Sequence, residues 1–149
     1  MTRLREIIHP EFLTTVRRDA TVAEAVRAMI GRNVGMVAVL DGDLLVGVFS
    51  ERDVVRRVVD KGLDPGATRV AEVMTTDLVV AEADEHYRSA MSKMDQANIR
   101  HLPVVEDGRL LAMLSIRDLM RLEIHDRGEE LRYLHEYLYH VPTDVAPAR

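Results

Sequence analysis

The chain has no cysteine and no tryptophan, and aromatic residues of all kinds make up only 4% of it. Without a thiol there is no disulfide framework, no cysteine nucleophile and no thiolate-bound metal, so the redox and zinc-finger classes drop out. With so few aromatics, the core of a chain that is 47% hydrophobic has to be built from Val, Leu, Ile, Ala and Met. No apolar stretch approaches the length of a membrane span. The opening MTRLREIIHPEF offers none long enough for a secretory signal, so the expected compartment is the cytoplasm. Positive charge is also in deficit: 20 Lys and Arg against 25 Asp and Glu leave a net charge of −5. That balance argues against a whole-surface nucleic-acid binder, whose phosphate contacts need a concentrated positive footprint, while a local basic pocket for a small anion stays open. At 149 residues the chain can bury a core without a metal or disulfide staple.

What the chain does have is an internal repeat. Shifted by 65 positions, residues 19–56 align with 84–121 without a gap, and ten pairs are identical: Asp19/Asp84, Ala25/Ala90, Met29/Met94, Asn33/Asn98, Val39/Val104, Leu45/Leu110, Ser50/Ser115, Arg52/Arg117, Asp53/Asp118 and Arg56/Arg121. Self-similarity at one fixed offset signals duplicated supersecondary units that bury faces against each other.

In the first copy, Leu13 to Arg17 predicts a short strand, and Thr21 opens a helix through a capping box with Glu24, with Val22, Ala25, Val26, Met29 and Ile30 at helical spacing. Gly31 and Asn33 stop that helix. Met36 to Leu40 and Leu44 to Phe49 are apolar strands joined by the turn residues Asp41-Gly42-Asp43. A second helix follows from Ser50 to about Lys61-Gly62. The second copy predicts a strand from Leu78 to Ala81 and a helix carrying Ala90, Met91 and Met94. Strands Leu102 to Val105 and Leu110 to Leu114 and a helix from Ser115 complete it. The expected fold is α+β, two βαββα units plus a C-terminal amphipathic helix. The expected divisions are 1–62, a Gly- and Pro-containing linker at 63–68, 69–122, and a tail at 123–149.

Two short motifs carry the chemistry. Ser50-Glu51-Arg52-Asp53 and Ser115-Ile116-Arg117-Asp118 each fall where a strand turns into a helix. The first turn of a helix offers unpaired N–H groups and the positive end of its dipole, so an anion can settle there with help from a hydroxyl and an arginine. The same Ser-x-x-Asp spacing also makes an ordinary capping box, and recurrence of the whole motif, Arg included, favours a ligand. Arg100-His101-Leu102-Pro103 opens the second hairpin, where the first copy has Gly35-Met36-Val37-Ala38. Its basic pair is either a phosphate contact or a solvent-facing Arg beside a half-buried His. Pro103 implies a strand end or edge. His135-Glu136 and His140 lie one residue too far apart for two His to share a metal on one helix face.

The duplicated unit, with Gly-Val-Phe-Ser-Glu-Arg-Asp at 47–53 and Arg-His-Leu-Pro-Val-Val at 100–105, resembles a tandem pair of cystathionine-β-synthase (CBS) domains over residues 1–122. The resemblance implies a Bateman module of the stand-alone bacterial type, its units related by a pseudo-twofold axis, with two inter-repeat clefts and a tendency to form disc-shaped homodimers. It further implies AMP, ADP, ATP or NAD(H) as ligand, with S-adenosylmethionine behind them. The Asp of each motif would hold the ribose diol, and Arg100 and His101 would reach phosphate. For adenine, an apolar slot is expected from Thr15-Val16 and Val79-Val80, although valines in short strands are more often plain core.

In the tail, Leu131, Leu134, Leu138 and Val141 recur at helical spacing beside Tyr133, Tyr137 and Tyr139. Such a stripe has to dock, on its own module, on a second copy or on an effector protein. The expected function is a non-catalytic energy or redox sensor that controls an unidentified effector protein. Its rivals are a structural dimerisation module with empty clefts and a small nucleotide-processing enzyme.

Overall fold

A computed structural model describes residues 2–139. After short 3-10 turns at Leu4–Glu6 and Pro10–Phe12 come β1 (Thr15–Arg17), α1 (Val22–Arg32), β2 (Met36–Asp41) and β3 (Leu44–Ser50). The next helical segment, α2, is one α-turn (Glu51–Asp53) that widens into a π-helix (Val54–Val59). Then follow α3 (Val70–Val73), β4 (Ala81–Glu82), α4 (Tyr87–Ala97), β5 (His101–Glu106), β6 (Arg109–Ser115) and α5 (Ile116–Tyr139). The strands run in the order β1-β2-β3-β6-β5-β4, the two halves of the sheet being joined by the antiparallel pair Leu44 and Arg109. Each half has one parallel pair, β1 with β2 or β4 with β5, and one hairpin.

The duplicated sequence gives duplicated local structure. Thr21 caps α1 through the predicted reciprocal box, its hydroxyl accepting from Glu24 N–H at 3.1 Å and Glu24 accepting from Thr21 N–H at 3.1 Å. Asn33 and Asn98 terminate α1 and α4 in the left-handed region, at φ 53° and 54°, which explains why this pair is identical in the two copies. Both hairpins shift register at the same place, Val39/Leu40 and Val104/Val105.

Three expectations are corrected. The strand expected at Leu78 to Ala81 is paired only at Ala81 and Glu82. In the first copy the ladder starts one residue earlier, at Thr15 opposite Ala38. The position equivalent to Ala38 is Pro103, which has no N–H to give, so Val80 is left unpaired beside it. Pro103 itself lies inside β5, opposite Met113, rather than at its end. The helix expected from Ser50 to Gly62 is π-helical over most of its length. The expected C-terminal helix is present and is continuous with the last helix of the second copy, which runs unbroken from Ile116 to Tyr139.

Two cores form, and each recruits the leading segment of the other repeat. Val22, Ala25, Met29, Val37, Val39, Phe49 and Val58 pack with Val70, Val73 and Met74. Ala81, Tyr87, Ala90, Met94, Leu102, Val104, Leu114 and Leu119 pack with Leu4, Ile7 and Ile8. The exchange is symmetric: Arg3 bridges His86 as Arg69 bridges Thr21, and both arginines donate their backbone N–H to a glutamate three residues on, Glu6 at 2.8 Å and Glu72 at 2.7 Å. Leu4 and Arg5 N–H donate to Glu85 and Ala83 carbonyls at 2.9 and 2.8 Å. The leading segments thus pack across the expected boundary between 1–62 and 69–122. The segment 63–68 is tied to α1, its Pro65 and Thr68 carbonyls accepting from the Ala23 and Val22 N–H groups in the first turn of that helix.

The extension of α5 is fastened to α4. The Tyr87 hydroxyl lies 2.8 Å from Glu123 and 2.7 Å from Asp126, and Arg88 donates to Glu123 at 3.0 Å. The Arg88 and Tyr87 hydrogen bonds, with Arg127, hold the Glu123 carboxyl down at about 2. A depressed carboxylate stabilises the fold above its ordinary titration range, and that stabilisation is lost as pH falls from about 4.5 towards 2. Acid unfolding should show it: between those pH values the melting temperature of Glu123→Gln is expected to fall less steeply than that of the parent. Parallel curves would mean that the clamp does not couple to folding.

Candidate functional site

The strand ends that carry the Ser-x-Arg-Asp motifs are built alike. Gly35 carbonyl accepts from Glu51 N–H at 3.0 Å, and Arg100 carbonyl accepts from Ile116 N–H at 2.8 Å, so each helix starts hard against the beginning of the neighbouring strand. In the sheet Met36 stands opposite Ser50 and His101 opposite Ser115. Directly opposed residues share a face of the sheet, which groups His101, Ser115 and the first turn of α5 in one place, with Arg100 and Arg117 exposed around it. Burial pushes the His101 imidazole below its ordinary value. Glu51 of the first repeat and Asp118 of the second oppose that shift, and Arg100 adds to it. His101 thus feels both repeats at once.

The two aspartates have different lives. Asp53 is 10% exposed and enclosed. Its carboxylate accepts from Ser50 N–H (3.0 Å), Ser50 hydroxyl (3.2 Å) and Thr75 hydroxyl (3.2 Å), with Arg57 Nε at 3.5 Å. Asp118 is 60% exposed, with Arg121 Nη1 at 4.0 Å as its ion partner. Its own N–H donates to Ser115 Oγ at 3.3 Å, so only half of the capping box is made. The cause is readable by superposing the repeats. Arg57 corresponds to Leu122, and Thr75, held by reciprocal backbone bonds to Val48, has no hydroxyl counterpart in the Pro10–Phe12 turn that packs on β6. Gly47 admits that approach, because a Cβ there would lie 2.5 Å from Met74 Sδ.

The remaining candidates separate. Leu102 is fully buried in the second core and Pro103 is also buried, so the expected Arg100–Pro103 set narrows to Arg100 and His101 at the surface. Val16 and Val79 pack at the edges of the two cores, Thr15 is exposed and Val80 half-buried. Arg52 is exposed beside Asp53. Sequence reasoning passed over Thr14, one residue from Thr15, whose hydroxyl is buried without a hydrogen-bond partner. It also passed over Thr75 and Arg57, for which the mismatch at 57/122 was the available signal. Among the described residues no group of three His, Asp or Glu could hold a metal, and no helix is long and apolar enough to cross a membrane. His140 and Val141 lie outside the described residues.

The CBS domain model matches twice, at residues 4–60 and 70–125. The chain belongs to the CBS-domain family. It is 34% identical over 125 residues to the mitochondrial CBS domain-containing protein CBSX3 of Arabidopsis thaliana, covering 80% of this chain and 61% of that one. It spans less than a fifth of several larger Arabidopsis CBS proteins. Among solved structures, a CBS-domain protein of Burkholderia ambifaria is 35% identical, with a TM-score of 0.72 over 76% of this chain and 84% of that one. A CBS domain protein of Pyrobaculum aerophilum, solved in complex with AMP, is 28% identical, with a TM-score of 0.71 over 78% of this chain and 89% of that one. The tandem CBS pair and the mixed α/β fold expected from the repeat are both found.

Proposed function

We infer that this CBS pair is a regulatory module that takes an adenine nucleotide at its second Ser-x-Arg-Asp copy, and that occupancy of the cleft is relayed to a partner protein. The observation that carries this reading is the state of Asp118. It is an exposed carboxylate in the first turn of a 24-residue helix, and its first-copy counterpart is enclosed by its own chain. A carboxylate accepts both hydroxyls of a ribose diol, and the helix start with Ser115, Arg100 and Arg117 suits the phosphate. The buried, unpartnered Thr14 hydroxyl adds a group that a ligand can satisfy. The AMP complex of the Pyrobaculum relative supports the ligand class. ADP, ATP and NAD(H) share the adenosine phosphate that this arrangement addresses, and no reaction is part of the reading.

A thermal-shift series is the direct test. AMP at about 100 times its Kd should stabilise the folded chain by roughly 2.7 kcal/mol, which for a chain of this size is about 5 to 11 °C in Tm. Adenosine should do less. A flat Tm across millimolar AMP, ATP and NADH would replace this reading with that of a scaffold whose clefts stay empty.

A further inference from the structure

The first Ser-x-Arg-Asp copy keeps the residue types that the nucleotide reading uses in the second, Ser50, Arg52 and Asp53, and Arg52 is exposed. What differs is a clasp around Asp53 drawn from both repeats. Arg57, one turn on, places Nε 3.5 Å from Asp53 Oδ1 and donates through Nη1 to the Met74 carbonyl at 2.9 Å. Thr75, next in the chain, donates its hydroxyl to the same carboxylate at 3.2 Å, and its backbone is bonded both ways to Val48, at 2.9 and 3.0 Å. Arg57 thus reaches from the aspartate to the leading segment of the second repeat and closes the carboxylate between them. It lies in the π-helical part of α2, Val54–Val59, where the second copy is α-helical throughout, so the winding of the helix departs at the same place. π-helical turns are frequent at functional sites.

We propose that Arg57 is a latch: with Thr75 it holds the first copy shut, so that the chain takes one nucleotide although it carries two motifs. The proposal rests on the nucleotide reading above. Folding does not account for the arginine. An ion pair across one helical turn, with the Arg57 side chain 48% exposed, contributes little to stability. The second copy builds the same helix start with Leu122 at this position. What Arg57 does change is access. A carboxylate has about four acceptor sites. At Asp53 the Ser50 N–H, the Ser50 and Thr75 hydroxyls and Arg57 address them, so a ribose diol has to displace donors before it can bind. At Asp118 the ion partner stands off at 4.0 Å and the carboxylate is open. Without the guanidinium, Asp53 regains an acceptor and the Met74 carbonyl loses its tie to α2, which frees the approach to the aspartate.

Calorimetric titration of the full chain with AMP counts the sites. The parent is expected to take one AMP. Arg57→Leu, which copies the second repeat, and Arg57→Ala should each take a second, weaker one, and adding Asp53→Asn to either should return the count to one. Each Arg57 substitution removes a positive charge, so general attraction of an anion runs the other way and cannot produce the gain. Thermal melting confirms that the variants fold. A parent that takes two AMP overturns the latch and leaves the nucleotide reading standing. A parent that takes none, beside a variant that takes one, upholds the latch and removes the second copy as the nucleotide site. Counts equal to the parent's in both Arg57 variants, or a gained site that survives Asp53→Asn, overturn the latch.

Discussion

Leu4→Ala is expected to destabilise the protein by about 2–5 kcal/mol, the range for emptying a leucine site in a packed core, although the residue is fourth in the chain. For a chain of this size that is a fall in Tm of roughly 4 to 20 °C. The reason is the exchange of leading segments. Leu4 is fully buried among Tyr87, Met94, Leu102 and Leu119 of the second repeat, and the N–H groups around it are tied to Ala83 and Glu85. Phe12→Ala, at a side chain 69% exposed, is the control and should be nearly silent. Urea unfolding of the two variants reads the difference. A Leu4→Ala loss no larger than that of Phe12→Ala would mean that the opening segment does not belong to the second core.

The second large effect separates the two aspartates. In Asp118→Asn the shape is kept and the charge is lost. Losing charge-assisted bonds of about 1.5–3 kcal/mol to the ribose diol should weaken AMP binding roughly ten- to a hundredfold, with the unliganded Tm almost unchanged. Asp53→Asn should do the reverse. Its carboxylate serves the Ser50 N–H, two hydroxyls and Arg57, and an amide cannot accept from all of them, so a stability loss of about 1.5–3 kcal/mol is expected with little change in AMP affinity. Calorimetric titration and thermal melting of both variants decide the matter. If Asp118→Asn binds AMP as the parent does, the second copy is not the nucleotide site. If Asp53→Asn is the variant that loses binding, the assignment of the two copies is exchanged.

Much of the fold was legible along the chain because its signals are local. The capping box at Thr21 and Glu24, the asparagines that end α1 and α4, and the turn residues of both hairpins each act within a few residues of themselves. The 65-residue offset made them visible twice. The candidate site was legible as a motif but not as a state. Two identical Ser-x-Arg-Asp copies gave no sign that one carboxylate would be enclosed and the other open, because the enclosing groups, Thr75 and Arg57, lie outside the motif and Thr75 arrives from the start of the other repeat.

The sequence alone determined that there are two like units, which elements each contains, and which residues head their helices, since periodicity and capping are short-range properties of the backbone. Only the tertiary structure decided that the leading segments of the repeats change places, so that Leu4 and Val70 each complete the core of the other unit. It also decided that β4 loses its first pair to Pro103, and that Asp53 and Asp118 have opposite surroundings. Each of these outcomes depends on a contact between residues far apart in the chain, and helical or strand periodicity carries no record of which distant surface a segment will meet.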